Sequence, residues 1–146
     1  MSEHPAMASV MPPQGWPLSA LPGMSAQDYQ KLYDVEIEST AVLLKRTQTL
    51  AKQRHLAEKL QLSDRWVRKW IALAQLSHLK SVGCQYCGLL LHAGVTSVEQ
   101  LSTMSPSMLH RQILRLQVST LHRRDLCPSA GVVMQWIQEA KLAQRR

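Results

Sequence analysis

An internal repeat constrains the fold of this 146-residue chain more than any other feature of its sequence. When the chain is shifted by 58 positions, residues 37–43 align with residues 95–101, and further along the shift becomes 66. Apolar residues occupy equivalent positions in this alignment: Leu21 and Leu79, Leu32 and Leu90, Trp70 and Trp136, Ile71 and Ile137. Self-similarity at a fixed period is typical of supersecondary units that stack on one another. We therefore predict two units, residues 20–78 and residues 79–146.

The spacing of apolar residues predicts that both units are helical. After Ser63, apolar side chains recur at steps of three and four residues as far as Ala74, and residues 133–140 repeat this stripe. Ser and Thr, whose oxygens accept hydrogen bonds from free N–H groups, precede the expected helices at Thr49, Ser63, Ser97, Ser105 and Ser129. No segment alternates with a period of two. The predicted fold class is all-α, with the units packed as one helical domain and with Trp66, Trp70 and Trp136 in its core.

The first 19 residues differ in character from the rest of the chain. They are rich in proline and methionine and show no apolar periodicity. Such composition is typical of disordered segments. We predict a disordered tail over residues 1–19.

Each unit opens with the layout of a helix-hairpin-helix. An apolar residue, Leu21 or Leu79, precedes a tight turn with one glycine, Gly23 or Gly83, and two short helices follow. Hairpins of this kind bind a nucleic-acid phosphate through backbone N–H groups at a helix N-terminus. The candidate contacts are Gly23, Met24 and Ser25 in the first unit, and Ser81, Val82, Gly83 and Cys84 in the second.

In residues 81–101, 105–110, 121–124 and 133–140, and in residues 55–60 and 66–71 of the first unit, the chain resembles an uncharacterised family, domain of unknown function 4332. The resemblance covers about residues 21–143 and implies tandem helix-hairpin-helix-like architecture. The family is frequent in bacteria, including cyanobacteria, and has no settled activity; its hairpins imply DNA binding. A DNA-binding hairpin usually carries two glycines around an apolar residue, whereas each hairpin here keeps one.

The charge of the chain favours a polyanionic partner. The net charge is +7, and basic residues crowd the stretch from 45 to 80. Within it, residues 55–70 are similar to a helix-turn-helix whose second helix carries Arg65, Arg68 and Lys69, and Lys80 precedes the second hairpin. We expect these four cations to support nucleic-acid binding without strong sequence choice. The alternative is that they form solvated helix faces.

The cysteines leave three interpretations open. Cys84 and Cys87 form a C-x-x-C motif, and Cys127 lies forty residues further on. One interpretation is that these two thiols pack in the interior, as small thiols often do. They could also bind a metal or cluster with Cys127 as third ligand, or form a disulfide switch. A second C-x-x-C or a clear pair of histidines is missing, so we expect no metal and no other cofactor.

Nothing in the sequence points to catalysis. There is no recognisable acidic pair, nucleophile with a base, or phosphate loop, so we expect a binding protein and no enzyme. No apolar run approaches the roughly 18 to 20 residues that span a bilayer, and residues 1–20 do not read as a signal peptide. The expected location is the cytoplasm, or an organelle stroma in a eukaryote, with no membrane partner.

Two alternatives to nucleic-acid binding remain at this point. A protein-interaction module or assembly factor could use the same basic surface on an acidic protein. A metal- or redox-linked regulator would depend on the cysteines alone. The sequence does not determine the oligomeric state.

Overall fold

The computed structural model describes residues 15–117 and 128–145, and these form helices without a β-sheet. The prediction of an all-α fold is confirmed. After a short 3-10 helix at Leu18–Ala20, eight α-helices follow within the described ranges: α1 Ala26–Asp34, α2 Thr40–Arg46, α3 Leu50–Leu60, α4 Asp64–Ser77, α5 Gly83–His92, α6 Val98–Ser102, α7 Pro106–Leu116 and α8 Ala130–Gln144.

Hydroxyl side chains begin most of these helices, as the sequence predicts. The Oγ atoms of Ser97, Ser105 and Ser129 and the Oγ1 atom of Thr49 each accept a hydrogen bond from a backbone N–H in the first turn. Ser63 occupies the N-cap of α4 but its side chain accepts no such bond. These bonds satisfy donors that the helix itself leaves free, so the helix starts are fixed locally.

The last helix of each half packs against the helices before it. Helix α4 contacts α2 and α3, and α8 correspondingly contacts α6 and α7. Helix α4 also packs against α5, which joins the two halves into one apolar core. Residues aligned by the repeat are buried in both halves: Leu32 and Leu90, Leu43 and Leu101, Val67 and Val133, Trp70 and Trp136. The helix-hairpin-helix type of the two units stays a prediction.

The prediction of a disordered tail over residues 1–19 is wrong for residues 15–19. Residues 1–14 lie outside the described residues, whereas Trp16 and Leu18 are 8% and 0% exposed. The backbone N–H of Trp16 donates to Thr40 Oγ1 over 2.9 Å, and the carbonyl of Trp16 accepts the N–H of Thr40 over 2.8 Å. The Cβ of any larger residue at Gly15 would lie 2.6 Å from Thr40 Oγ1. The prolines of this segment suggested a disordered tail, but the side chains of Trp16 and Leu18 belong to the core.

The halves also meet near residues 77–88. The indole N–H of Trp16 donates to the carbonyl of Ser77 over 2.9 Å, at the end of α4. Pro22, in the first hairpin, packs so closely on α5 that a Cβ at Gly88 would lie 2.9 Å from its Cγ. Close packing of this kind transmits strain, so the first hairpin is held against the second half.

Candidate functional site

The first hairpin presents an exposed turn. Gly23 is exposed and has a φ of +79°, a conformation that suits glycine. Ser25 caps α1 by accepting the N–H of Asp28 over 3.0 Å. Among the described residues, neither the N–H of Gly23 nor that of Ser25 donates a hydrogen bond. The N–H of Met24 donates to the carbonyl of Leu21 over 3.3 Å, so the prediction is wrong for this donor and the turn keeps those of Gly23 and Ser25 free.

Helix α4 supplies the positive charge at this turn. The Cβ position of residue 23 lies 3.7 Å from Lys69 Nζ, so Gly23 and Lys69 are neighbours. Asp28 places a carboxylate in the first turn of α1, which offsets the positive end of that helix dipole. The binding of an anion at the first hairpin would thus depend on the charge of Lys69. The structure brings together these two residues, which the sequence had placed in separate motifs.

A groove of about 930 Å³ runs beside the exposed face of α4. One wall carries Arg65, Trp66, Arg68 and Lys69, and the facing wall includes Leu91 of α5 with Thr96 and Ser97 at the start of α6. Among the described residues that line it there is no carboxylate. We call this feature the α4 groove. Its three cations are unopposed by acidic lining, so it would attract an anionic ligand.

Trp66 lies in the α4 groove and not in the core, so the prediction for this residue is wrong. Its side chain is 44% exposed. The Nζ atom of Lys69 lies 4.9 Å from the centroid of its ring, within cation–π range. The cause is the position of α4: its later turns are enclosed almost all round, whereas its first turn buries only Val67. Trp70 and Trp136 are buried, as predicted.

The second hairpin is bonded to α8. The N–H and the hydroxyl of Ser81 both donate to the carboxylate of Glu139, over 2.9 and 2.5 Å. The indole N–H of Trp136 donates to the carbonyl of Ser81 over 3.1 Å. The N–H groups of Val82 and Gly83 both donate to the carbonyl of Leu79 over 3.0 Å.

The neighbours of Ser81 are covered as well. Val82 and Gly83 are buried, and the Cβ position of Gly83 lies 3.5 Å from the ring of Trp16. Cys84 is half-buried, and Lys80 alone is exposed. Three of the predicted contacts of the second hairpin, Ser81, Val82 and Gly83, are therefore engaged or enclosed. No pattern in the sequence indicates that Glu139, nearly sixty residues away, contacts this turn.

The cysteines lie in the interior side of α5. Cys87 is fully buried and Cys84 is half-buried. Burial raises the pKa of the Cys84 thiol to about 11 and that of Cys87 to about 12. Metal binding and thiol exchange both need the thiolate. Within residues 15–117 and 128–145, no group of three potential ligands could hold a metal ion; Cys127 lies outside the described residues.

A second basic groove lies between α2 and α3. Its lining includes Lys45, Arg46, Lys52, His55 and Lys59. Arg46 also donates to the carbonyl of Val35 over 3.2 Å, so part of this charge serves the fold. Among the described residues that line it there is no tryptophan or tyrosine. This groove therefore serves as a comparison surface that is also positively charged but lies elsewhere on the protein.

The fold defines an all-α protein built around one core that both halves share. The chain belongs to the family described as Domain of unknown function (DUF4332), which matches residues 22–143. No curated protein and no solved structure matches it. In the described part of the chain, no helix is both long and apolar enough to cross a membrane.

Proposed function

We propose that this protein is a cytoplasmic, non-enzymatic nucleic-acid-binding protein, and that the first hairpin and the α4 groove contact the phosphate backbone. The observation that carries the proposal is the proximity of Gly23 and Lys69, with 3.7 Å between the Cβ position of one and Nζ of the other. Free N–H donors and an ammonium group at one point suit a phosphate, which accepts hydrogen bonds and carries charge.

The remaining contacts follow from α4. Arg65 and Arg68 are exposed and line the same groove as Lys69. Contacts to phosphates position a protein on a nucleic acid but do not read its sequence. Weak sequence preference is therefore expected.

The second hairpin has a smaller part in the proposal. Ser81, Val82 and Gly83 use or bury their N–H groups within the protein, so they are left out of the interface. Lys80 remains as an exposed charge. The single glycine that each hairpin keeps has different surroundings in the two halves: Gly23 is exposed, and Gly83 is buried.

Salt-dependent binding tests the proposal. The affinity for fluorescein-labelled oligonucleotides, measured by anisotropy, should fall log-linearly with salt concentration because bound cations release counterions. The double variant Arg65→Gln, Lys69→Gln should weaken binding and reduce the magnitude of the salt slope by about one to two. Lys52→Gln, Lys59→Gln removes the same charge from the groove between α2 and α3, and should change the slope less.

Two results would contradict this proposal. One is the absence of binding to single-stranded and duplex DNA and RNA at low salt. The other is an equal loss of affinity in both double variants, since uniform charge attraction would explain that without the α4 groove.

An acidic protein is the second candidate ligand for the same surface. The unopposed cations of the α4 groove favour it, because Arg65, Arg68 and Lys69 attract carboxylates as well as phosphates. Co-purification from native extract, with and without nuclease, separates the two. A partner that is lost on nuclease treatment supports nucleic-acid binding. A partner protein that stays bound after nuclease treatment, but is lost in the variant Arg65→Gln, Lys69→Gln, supports the acidic protein.

A further inference from the structure

We infer that the α4 groove selects unpaired nucleic-acid strands, and that Trp66 is the platform on which a base stacks. This inference rests on the proposed function and names its substrate class. Its basis is an exposed indole set among cations, where the sequence pattern predicts a core residue. Phosphate contacts alone would need the cations and not the ring.

The exposure of Trp66 distinguishes it from every other tryptophan of the chain. Trp66 is 44% exposed, whereas Trp16, Trp70 and Trp136 are at most 8% exposed. Tryptophan is enriched at interfaces, where its ring offers a large apolar surface and its N–H a polar group. The groove around Trp66 combines the cations of α4 with apolar lining from Ile71, Ala72 and Leu91, so it suits a ligand that carries both negative charge and an apolar face, as a nucleotide does.

One cation, Lys69, lies beside both the ring of Trp66 and the first hairpin. Lys69 Nζ lies 4.9 Å from the centroid of the Trp66 ring and next to Gly23. A base that stacks on the ring therefore brings its phosphate into reach of Lys69 and the first hairpin. Stacking on an aromatic residue is worth more than an exposed cation–π contact, so the flexible lysine can leave the ring for the phosphate.

A duplex cannot use this platform in the same way. Its bases are stacked on each other, and a base has to be unpaired and turned out before an indole can cover its face. Proteins that bind single strands combine a positively charged groove with aromatic side chains. Every base has a π-face, so such binding tolerates different sequences.

Intrinsic fluorescence tests the inference, because Trp66 is the one tryptophan that a ligand can reach. The probes are an oligothymidylate of about 15 nucleotides, the duplex that it forms with oligodeoxyadenylate, and inorganic polyphosphate, which has charge but no bases. The single strand should quench the Trp66 emission and bind at least tenfold more tightly than the duplex. Polyphosphate should bind without quenching.

Two variants separate stacking from structure. Trp66→Leu should lose about tenfold in affinity for the single strand and keep its affinity for polyphosphate. Trp66→Tyr should restore most of the loss, because tyrosine also stacks. The side chain is exposed, and the far-ultraviolet circular dichroism of both variants should match that of the natural protein.

The failure of the inference and that of the proposed function look different. If none of the three probes binds, the proposed function fails, and the inference fails with it. If the single strand binds without quenching, no more tightly than the duplex, or equally well to Trp66→Leu, the inference alone is overturned. Quenching by polyphosphate would also overturn it, since the emission would then report charge.

Discussion

Glu139 accepts two hydrogen bonds from Ser81, one from its N–H and one from its hydroxyl. The carbonyl of Ser81 is also bonded, to the indole of Trp136. All the polar groups of one turn residue are thus paired with α8. The first hairpin has the opposite arrangement, because its turn keeps free donors and faces the cation Lys69.

Replacing Glu139 should destabilise the fold. Glu139→Ala leaves the partly buried donors of Ser81 unpaired, and we expect the free energy of unfolding to fall by about 1–3 kcal/mol. Urea unfolding followed by circular dichroism measures the change. The control is Glu58→Ala, which removes an equal charge from an exposed position on α3. Equal stability of the two variants would mean that the bonds to Ser81 contribute nothing.

Adding a methyl group at Gly88 should also destabilise the protein. In a helix interior, Gly→Ala normally stabilises by up to about 1 kcal/mol. Here the new Cβ would lie 2.9 Å from Pro22 Cγ, so the first hairpin has to move. We expect a net loss of about 1 kcal/mol from overpacking.

Gly131 in α8 provides the matched control for Gly88. The nearest atom to its Cβ position is Ser129 Oγ, 3.8 Å away. Gly131→Ala should therefore be neutral or stabilising in the same urea titration. A stabilising Gly88→Ala would show that Pro22 does not press on α5.

The stability should fall in mild acid because of His78. Its Nε2 lies 2.7 Å from Thr40 Oγ1, and burial lowers the pKa of the ring below its ordinary value of 6.5. The unfolded chain therefore takes up the proton more readily than the folded one. This contribution to stability is complete above pH 6.5 and is lost as the pH falls from there towards the lower pKa of the folded state.

Urea titrations between pH 7.5 and pH 5 measure this dependence. His78→Gln, which keeps a polar group beside Thr40, should flatten the curve over that interval. An unchanged pH dependence in His78→Gln would assign the effect to other groups.

The thiols of α5 should react slowly in the folded protein. With the pKa of Cys84 raised to about 11, the thiolate at pH 8 is about a hundredfold rarer than for a thiol of ordinary pKa, and only the thiolate reacts. Alkylation by iodoacetamide, followed by mass spectrometry in a Cys127→Ser background, should be correspondingly slow and should become fast in urea. Rapid alkylation of native Cys84 at pH 8 would contradict this prediction and would revive a redox role.

Most of the fold could be predicted from helix-capping residues and from the spacing of apolar residues along single helices. Serine and threonine caps depend on neighbours three residues away, and the stripe that includes Trp70 depends on the pitch of one helix. Both are properties of short segments. The register between Trp70 and Trp136 was visible for the same reason, since each anchors the last helix of its half.

Contacts between distant segments could not be predicted in this way. Trp66 and Val67 are adjacent in sequence, and only the position of α4 against its neighbours decides that one is exposed and the other buried. The pairing of Ser81 with Glu139 joins residues from the two ends of the second half. Lys69 was recognised as a basic residue, but its place beside Gly23 depends on how α4 crosses the first hairpin.

Trp16 has a consequence for how the gene can be divided. Its indole is bonded to Ser77 and covers Gly83, while its backbone is paired with Thr40. A truncated protein that begins after residue 20 lacks Trp16, and both halves then lose their contacts with it. Residues 79–146 expressed alone would leave Gly83 without this cover. The sequence repeat therefore does not mark two portable modules, and expression or fusion designs should keep the chain from residue 15 onwards in one piece.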